Sequence, residues 1–298
     1  MARKCWCWVT KSATQKLITI IIPTWNNRQY LEPCIRSIMQ TGILNGFAEL
    51  LIIDNGEEKL AHYYKDIPGV RVLTPGKNLG WEGGLELGVS QSDSVFVCFQ
   101  NDDTHLPAIS RSFYQRLLIP FQDKKVGAVG PMTTVAAGVQ STFHPTSVMG
   151  YIDVSWMIFF TVMVRRETLA EVGGIDTSLP GGDDFDLSIR LRKAGYKLRV
   201  APDAFIIHHG FKTGERVHGG PSVEGGWNSL KMTDDTNKAL IQKHGFKAFF
   251  NTMMHQVIAP YEGEKSDPEK DIILEHVVGD RVLELGCGPK KLLETSGS

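Results

Sequence analysis

Two acidic clusters hold the residues best suited to chemistry. Asn101, Asp102 and Asp103 follow the apolar run SVFVCFQ, and Asp183 and Asp184 follow PGG at the start of a segment with helical spacing. Carboxylates at a strand end can hold Mg²⁺ or Mn²⁺, an ion that would neutralise a diphosphate. A carboxylate presented by a shaped loop can act as a general base towards a bound hydroxyl. The two clusters therefore indicate metal-assisted chemistry with a separate proton acceptor.

Each cluster also has a structural interpretation, which the residues alone leave open. Asx residues after a strand form turns, and aspartates at a helix start meet unpaired N–H groups and a favourable dipole. His208 and His209 end the apolar run AFII, and neighbouring strand residues point to opposite faces, so at most one should face a given site. A strand-end histidine becomes a metal-ligand candidate only beside an established metal site, where imidazole suits Mn²⁺ better than Mg²⁺.

Composition and charge limit the class of protein. The 298 residues suffice for one large α/β domain with an appendage, or for two ordinary domains. A formal net charge of -1 argues against a wide nucleic-acid surface, and five cysteines do not indicate a disulfide framework. No secretory leader is apparent, and the most apolar run, Ser155–Val164, is far shorter than the ~20 residues of a spanning helix. We therefore expect a cytoplasmic protein without a transmembrane segment, in which this run forms a buried strand.

The remaining apolar runs alternate with helical segments. This pattern predicts an α/β fold with a Rossmann-like, mostly parallel sheet flanked by helices. The predicted helices are Arg28–Gly42 and Trp81–Gln91, and the predicted buried strands are Leu17–Pro23, Ala48–Asp54, Val70–Leu73, Ser94–Gln100 and Val126–Pro131. Ligands of such sheets bind beyond the carboxyl ends of the strands, so Asp54 and the cluster at 101–103 should share one rim.

Changes in composition along the chain predict its organisation. Residues 1–16 are expected to form a lead-in and residues 17–210 the α/β core. Residues 211–265 are expected to form a glycine-rich loop and a helical extension, with residues 233–257 helical. Residues 266–298 are predicted to be a charged linker followed by the start of a further unit at DRVLELGCGP.

Five segments in this order resemble the family-2 inverting glycosyltransferases with the GT-A fold, especially the rhamnosyl- and galactofuranosyl-transferase-like branch. They are IIIPTWNN, LLIIDNG, NLGWEGGLELG, FQNDDT and the stretch from Gly173 to Gly210. The resemblance covers about residues 17–210. It implies an enzyme that uses Mn²⁺ or Mg²⁺ to move a hexosyl or deoxyhexosyl group from a nucleotide-diphosphate donor, with inversion. The acceptor would be a hydroxyl on a glycan, a lipid-linked compound or another molecule.

The resemblance also implies roles for individual residues. Asp103, with Asp102 beside it in a DXD-type motif, would hold the cation, and His208 would be a further ligand. Asp184 would be the general base that deprotonates the acceptor. The donor would be contacted by Pro23, Thr24, Trp25, Asn26, Asp54, Asn78, Gly80, Trp81, Gly83, Gly84, Asn101 and Asp102. Bulky Phe159 and Phe160 depart from the small residues of many relatives, so the acceptor's identity is not carried over.

Other interpretations remain beside this one. DRVLELGCGP resembles the first motif of S-adenosylmethionine-dependent methyltransferases, which implies a piece of a longer bifunctional chain, although it also suits an ordinary strand and turn. Residues 280–298 would be too short to bind the methyl donor well by themselves. A sugar nucleotidyltransferase would also use acidic metal ligands, but its usual glycine-rich loop after the first strand is missing from PTWNNRQ. A catalytically inactive sugar-nucleotide-binding module is the non-enzymatic alternative.

Overall fold

A nine-stranded sheet organises the computed structural model, which describes residues 15–141, 151–210, 212 and 230–258. The strands run in the order β3-β2-β1-β4-β8-β6-β9-β5, with β7 paired to β9. Their bounds are β1 (Ile18–Thr24), β2 (Ala48–Asp54), β3 (Val70–Leu73), β4 (Phe96–Gln100), β5 (Thr104–His105), β6 (Val126–Thr133), β7 (Ile152–Val154), β8 (Thr161–Arg165) and β9 (Lys197–His208). The helices are α1 (Arg28–Gln40), α2 (Ala61–Tyr64), α3 (Gly80–Ser90), α4 (Phe113–Leu118), α5 (Arg166–Glu171), α6 (Asp183–Lys193), α7 (Leu230–His244) and α8 (Phe246–Met254).

The central strands are apolar throughout because helices cover both faces of the sheet. In β1, Ile20 belongs to the core that includes Leu31 and Ile35 of α1. The next residue along the chain, Ile21, belongs to the opposite core with Leu85 of α3. Adjacent strand residues thus enter different cores. The strand sequences therefore lack the alternation of polar and apolar residues that is seen where one face of a sheet is exposed. The predicted fold class, a mixed α/β sheet flanked by helices, is confirmed.

The polar residues after several strands meet at one edge of the sheet. Strands β1, β2, β3 and β4 are parallel neighbours, so their carboxyl ends point the same way. Strand β9 brings His208 to that edge, where it pairs with Thr104 directly after the cluster at 101–103. The fold therefore places the end of β9 beside the end of β4, although more than 90 residues separate them.

Two predicted elements are wrong in part. The run Ser155–Val164 is not one strand, because β8 begins only at Thr161. Just before β8, the Gln140 side chain makes the hydrogen bonds that a neighbouring strand would make. Its Oε1 accepts the N–H of Ile158 at 2.6 Å, and its Nε2 donates to the Ile158 carbonyl at 3.3 Å. Residues 233–257, predicted to be helical, lie mostly in α7 and α8, with a break at Gly245, whose φ of 83° lies in the left-handed region, and with the helix ending at Met254.

Several predictions fall outside the described residues. These include most of the lead-in at 1–16, nearly all of the 211–265 region before α7, and the whole of 266–298, predicted as a linker followed by the start of a further unit. They therefore stay predictions. Within the described ranges, no helix is both long enough and apolar enough to cross a membrane.

Close packing of α3 on β1 leads to a first testable prediction. A Cβ on Gly88 would lie 2.4 Å from Cγ2 of the buried, β-branched Ile21. We expect Gly88→Ala to lower the free energy of unfolding by about 1–3 kcal/mol through overpacking, despite the better helix propensity of alanine. Urea denaturation measures the change, and exposed Ser90→Ala on the same helix should stay within about 0.5 kcal/mol of wild type. Equal stabilities of the two variants would contradict the tight contact.

Candidate active site

A cleft of about 540 Å³ opens at the edge where the carboxyl ends of the strands meet. Both acidic clusters line it: Asn101, Asp102 and Asp103 on one element, and Asp183 and Asp184 on another. The predicted metal ligand His208 lines it as well. Of the residues predicted to contact the donor, those on its wall are Pro23, Thr24, Trp25, Asn78, Gly80, Trp81, Asn101 and Asp102.

Four residues predicted to contact the donor lie behind this wall instead. Asp54 is buried, and its carboxylate accepts the N–H groups of Gly56 at 3.3 Å and Leu60 at 2.9 Å. Asn26 accepts the N–H of Glu57 at 2.9 Å, which ties two loops together. The others are Gly83 and Gly84, which lie in the first turns of α3. The structure thus places these residues in the support of the cleft, and their predicted donor contacts remain predictions.

Asn55, which was not predicted, lines the cleft beside them. Its Nδ2 donates to the carbonyl of Gly80 at 3.0 Å, and its Oδ1 accepts the N–H of Leu79 at 3.3 Å. Asn78 Oδ1 accepts the N–H of Gly80 at 2.8 Å. Two asparagines therefore fix the turn that begins α3. The alternation of side chains at the end of β2 could have indicated Asn55, since Asp54 and Asn55 must point in different directions.

The first acidic cluster presents one carboxylate oxygen that suits a cation. Among the described residues, the buried Oδ1 of Asp103 accepts no hydrogen bond. Nε2 of His208 lies 3.3 Å from it. Nδ1 of His208 lies 2.8 Å from the carbonyl of Val135, which can only accept, so the neutral ring carries its proton on Nδ1. When Nε2 carries no proton, its lone pair lies near both Asn101 Nδ2 and Asp103 Oδ1, and a divalent cation between Nε2 and Oδ1 would bind both atoms.

The residues around Asp103 and His208 favour the binding of a cation by this pair. Although burial acts to raise the pKa of Asp103, the hydrogen bond and the charge of a protonated His208 ring, together with the backbone N–H of Lys212, hold it below its ordinary value. The ring of Phe160 stacks on His208 with centroids 5.0 Å apart and fixes the imidazole plane. The Asp103 carboxylate is therefore ionised at neutral pH, and the imidazole is fixed in orientation.

Asp102 and Asn101 have different surroundings from Asp103. Asp102 is buried and accepts hydrogen bonds from Thr24 Oγ1 at 2.6 Å and Asn27 Nδ2 at 3.0 Å. Asn101 Nδ2 lies 3.3 Å from Nε2 of His208. Over the part of the chain that the structure describes, no three His, Cys, Asp or Glu side chains form a metal cluster by themselves. The structural interpretation thus fits Asp102, whose role as a metal ligand remains a prediction.

The second acidic cluster opens α6. The N-cap residue is Gly182 with a left-handed φ of 76°, and the Asp184 carboxylate accepts the N–H of Phe185 within the first turn. Burial raises the pKa of Asp184 to about 6, and the charge of nearby Glu82 adds to the effect. Burial also raises the pKa of Asp183, as do the charges of Asp184 and Glu82. A carboxyl group with a pKa near neutrality in a cleft is a candidate general base.

Asp186, one turn into α6, anchors the helix. Its carboxylate is fully buried and accepts two hydrogen bonds from Arg190, at 2.8 and 2.6 Å. Lys243 and His244 of α7 reach its other oxygen at 2.6 and 2.8 Å. These partners hold the pKa of Asp186 below its ordinary value, although burial opposes them. The helix that presents Asp183 and Asp184 is thereby fixed to its neighbour.

Sequence comparisons point to one family. The model described as glycosyl transferase family 2 matches residues 19–178. An uncharacterized protein of Mycobacterium tuberculosis is 29% identical over 245 residues, which cover 78% of this chain and 87% of that protein. The pre-mycofactocin glycosyltransferase of M. tuberculosis is 24% identical over 209 residues, or 64% of this chain and 42% of the relative.

Solved structures share the fold at low sequence identity. The mannosyltransferase PcManGT of Pyrobaculum calidifontis, in complex with GDP-Man and Mn²⁺, has a TM-score of 0.54 and 15% identity over 88% of this chain and 68% of its own. S. aureus TarS 1-349, in complex with UDP-GlcNAc, has a TM-score of 0.58 and 12% identity over 79% of this chain and 71% of its own. Both comparisons concern the fold, the GT-A arrangement of a sheet flanked by helices.

Proposed function

Because this chain belongs to glycosyl transferase family 2, we propose that it is a metal-dependent, inverting enzyme. It would move a hexosyl or deoxyhexosyl group from a nucleotide-diphosphate donor to an acceptor hydroxyl. One observation supports this function above the others. Asp103 and His208, whose facing side-chain atoms suit a divalent cation, line the same cleft as Asp184, whose pKa is raised to about 6. One group suits the leaving diphosphate and the other suits the attacking hydroxyl.

The residues of the cleft have separate tasks in this reaction. Asp103 and His208 would hold the divalent cation, which when bound offsets the charge that develops on the leaving diphosphate. Asp184 accepts the proton of the acceptor hydroxyl while the hydroxyl oxygen bonds to the anomeric carbon. The bond between that carbon and the diphosphate oxygen breaks in the same displacement. Attack from the face opposite the leaving group inverts the anomeric centre.

The chemistry of the ligands favours one cation over the other. An imidazole nitrogen suits Mn²⁺ better than Mg²⁺, so His208 favours Mn²⁺. The mannosyltransferase with a similar fold was solved with GDP-Man and Mn²⁺, which supports a nucleotide sugar and Mn²⁺ as the pair to test first. We further propose that the acceptor carries its hydroxyl on a glycan, a lipid-linked compound or another molecule. The assignment to the rhamnosyl- and galactofuranosyl-transferase-like branch is also part of the proposal, and it rests on the order of the five sequence segments.

A donor screen tests the proposed function. Sugars linked to UDP, GDP and dTDP are added to the protein with and without Mn²⁺, and thermal unfolding is followed. We expect one nucleotide class to raise Tm by several degrees only with Mn²⁺, since a ligand at 100 times its Kd adds about 2.7 kcal/mol. Slow release of the nucleoside diphosphate from that donor should follow. Release of pyrophosphate would indicate a nucleotidyltransferase instead, and binding without any turnover would indicate an inactive module.

A further inference from the structure

The first turn of α6 presents two adjacent carboxylates to the cleft, and they have different partners. Asp183 Oδ2 accepts the indole N–H of Trp81 at 3.0 Å. Asp184 Oδ1 accepts the backbone N–H of Phe185 at 2.8 Å. On the basis of the proposed function, we propose that Asp183 is a positioning residue that acts through Trp81. Their hydrogen bond would hold Asp184 in line with the turn of α3 that contacts the donor.

The Trp81 end of this bond is fixed. Trp81 is the second residue of α3 and itself lines the cleft. The turn before it is held by the two hydrogen bonds of Asn55 and by Asn78. The indole therefore reaches from a rigid turn on the donor side to a helix 102 residues away in the sequence. A displacement that moves the two sides of the cleft apart would stretch this hydrogen bond.

The opposite side of α6 is fixed by α7. A Cβ on Gly182 would lie 2.9 Å from atoms of both Leu240 and Thr236, so the backbone before Asp183 packs directly on α7. Asp186 is bound to Lys243 and His244 of the same helix. The bond from Trp81 is thus a side-chain hydrogen bond that holds the first turn of the helix to the donor side of the cleft. Its loss would free the first turn to rotate, and an error of ~1 Å in a reacting group can cost about 10²-fold in rate.

Electrostatics assign the two aspartates different tasks. Glu82, Asp183 and Asp184 all lie on the cleft, and three ionised carboxylates so close together would repel one another. Burial and the two neighbouring charges raise the pKa of Asp183 well above its ordinary value. A neutral Asp183 still accepts the indole hydrogen bond through an oxygen. It then serves as a fixed acceptor and leaves the proton transfer to Asp184.

A double-mutant cycle tests the positioning role. Trp81→Phe keeps an aromatic ring and removes the N–H, and Asp183→Ala removes the acceptor. We expect each change to lower kcat for release of the nucleoside diphosphate from the donor about 10–100-fold, while the Kd of UDP or GDP with Mn²⁺ stays within about threefold in Asp183→Ala, which removes no predicted donor contact. The double variant should lose no more than the more impaired single variant, because both changes break the same bond. Losses that multiply, or an unchanged kcat in either single variant, would overturn the proposal.

Two further variants separate positioning from catalysis and from general damage. Asp183→Asn retains an oxygen that accepts the indole N–H, so it should recover most of the kcat lost in Asp183→Ala. A kcat as low as that of Asp183→Ala would identify Asp183 as a proton acceptor and overturn the positioning role. Trp156→Phe is the matched control, because Trp156 packs on Phe185 of the same helix and its buried N–H has no partner among the described residues. Its kcat should equal that of wild type.

The proposed function can fail separately from this inference. If wild type releases no nucleoside diphosphate from any donor, the function fails and the bond itself is tested by ¹⁵N-indole NMR. The N–H signal of Trp81, assigned by its absence in Trp81→Phe, should move in Asp183→Ala and change little in Asp183→Asn. A signal that is the same in wild type and Asp183→Ala would overturn the link between the two residues.

Discussion

Replacement of Asp184 by asparagine is expected to lower turnover by about 10²–10⁴-fold, the usual contribution of a positioned general base. Asparagine has nearly the same shape as aspartate but cannot accept the proton of an acceptor hydroxyl. The fold should be unaffected, because α6 is anchored by Asp186 rather than by Asp184. Donor affinity should also be unaffected, because the cation would be held at Asp103. Steady-state kinetics and isothermal titration with the donor measure the two quantities.

The pH profile gives an independent check on Asp184. Its pKa of about 6 predicts that wild-type kcat/KM falls as the pH drops below 6, because the base becomes protonated. The residual activity of Asp184→Asn should lack this acidic limb. Since the pKa is raised in the folded state, ionisation of Asp184 costs stability as the pH rises towards and through about 6. Wild type should therefore lose stability relative to Asp184→Asn over that range. Near-wild-type turnover in Asp184→Asn would remove this residue from the mechanism.

The central strands were predictable because burial on both faces leaves a continuous apolar run. Ala48–Asp54 and Val70–Leu73 have the bounds predicted from the sequence. Ser155–Val164 has the same apolar character, yet only its end pairs as a strand, since Gln140 satisfies the backbone of Ile158. A hydrophobic run indicates burial, but whether its backbone pairs with a strand or with a side chain depends on residues distant in the sequence.

The acidic residues of the cleft were predictable from the sequence, but their hydrogen-bond partners were less so. Sequence segments identified Asp103, His208 and Asp184, and all three line the cleft. They did not indicate that Asp102 accepts hydrogen bonds from Thr24 and Asn27, or that Asp183 accepts one from Trp81. These bonds join residues 75 or more positions apart. Local spacing carries no information about such pairs, so the different hydrogen-bond partners within each acidic cluster required the structure.

Removal of the Asp103 carboxylate is expected to abolish the effect of Mn²⁺ on donor binding. In wild type, Mn²⁺ should tighten the binding of the nucleoside diphosphate found in the donor screen by at least about tenfold, since even supporting residues of metal sites contribute 10–100-fold. Asp103→Ala and the closer mimic Asp103→Asn should bind the nucleotide equally with and without Mn²⁺. His208→Gln should also weaken the effect of Mn²⁺ on nucleotide binding, because it removes the nitrogen that faces Asp103. Isothermal titration measures all four proteins without any need for turnover.

The charge change requires its own control, because Asp103→Ala also raises the net charge of the protein by one. Asp203→Ala makes the same change at an exposed position of β9, where Asp203 pairs only with Arg116 at the surface among the ion pairs of the described residues. It should retain the full effect of Mn²⁺, since surface pairs contribute little and their fields are screened by salt. If Mn²⁺ strengthens nucleotide binding equally in wild type and Asp103→Ala, the cation is held elsewhere. The buried Oδ1 of Asp103 would then need a different partner, such as a proton shared with His208.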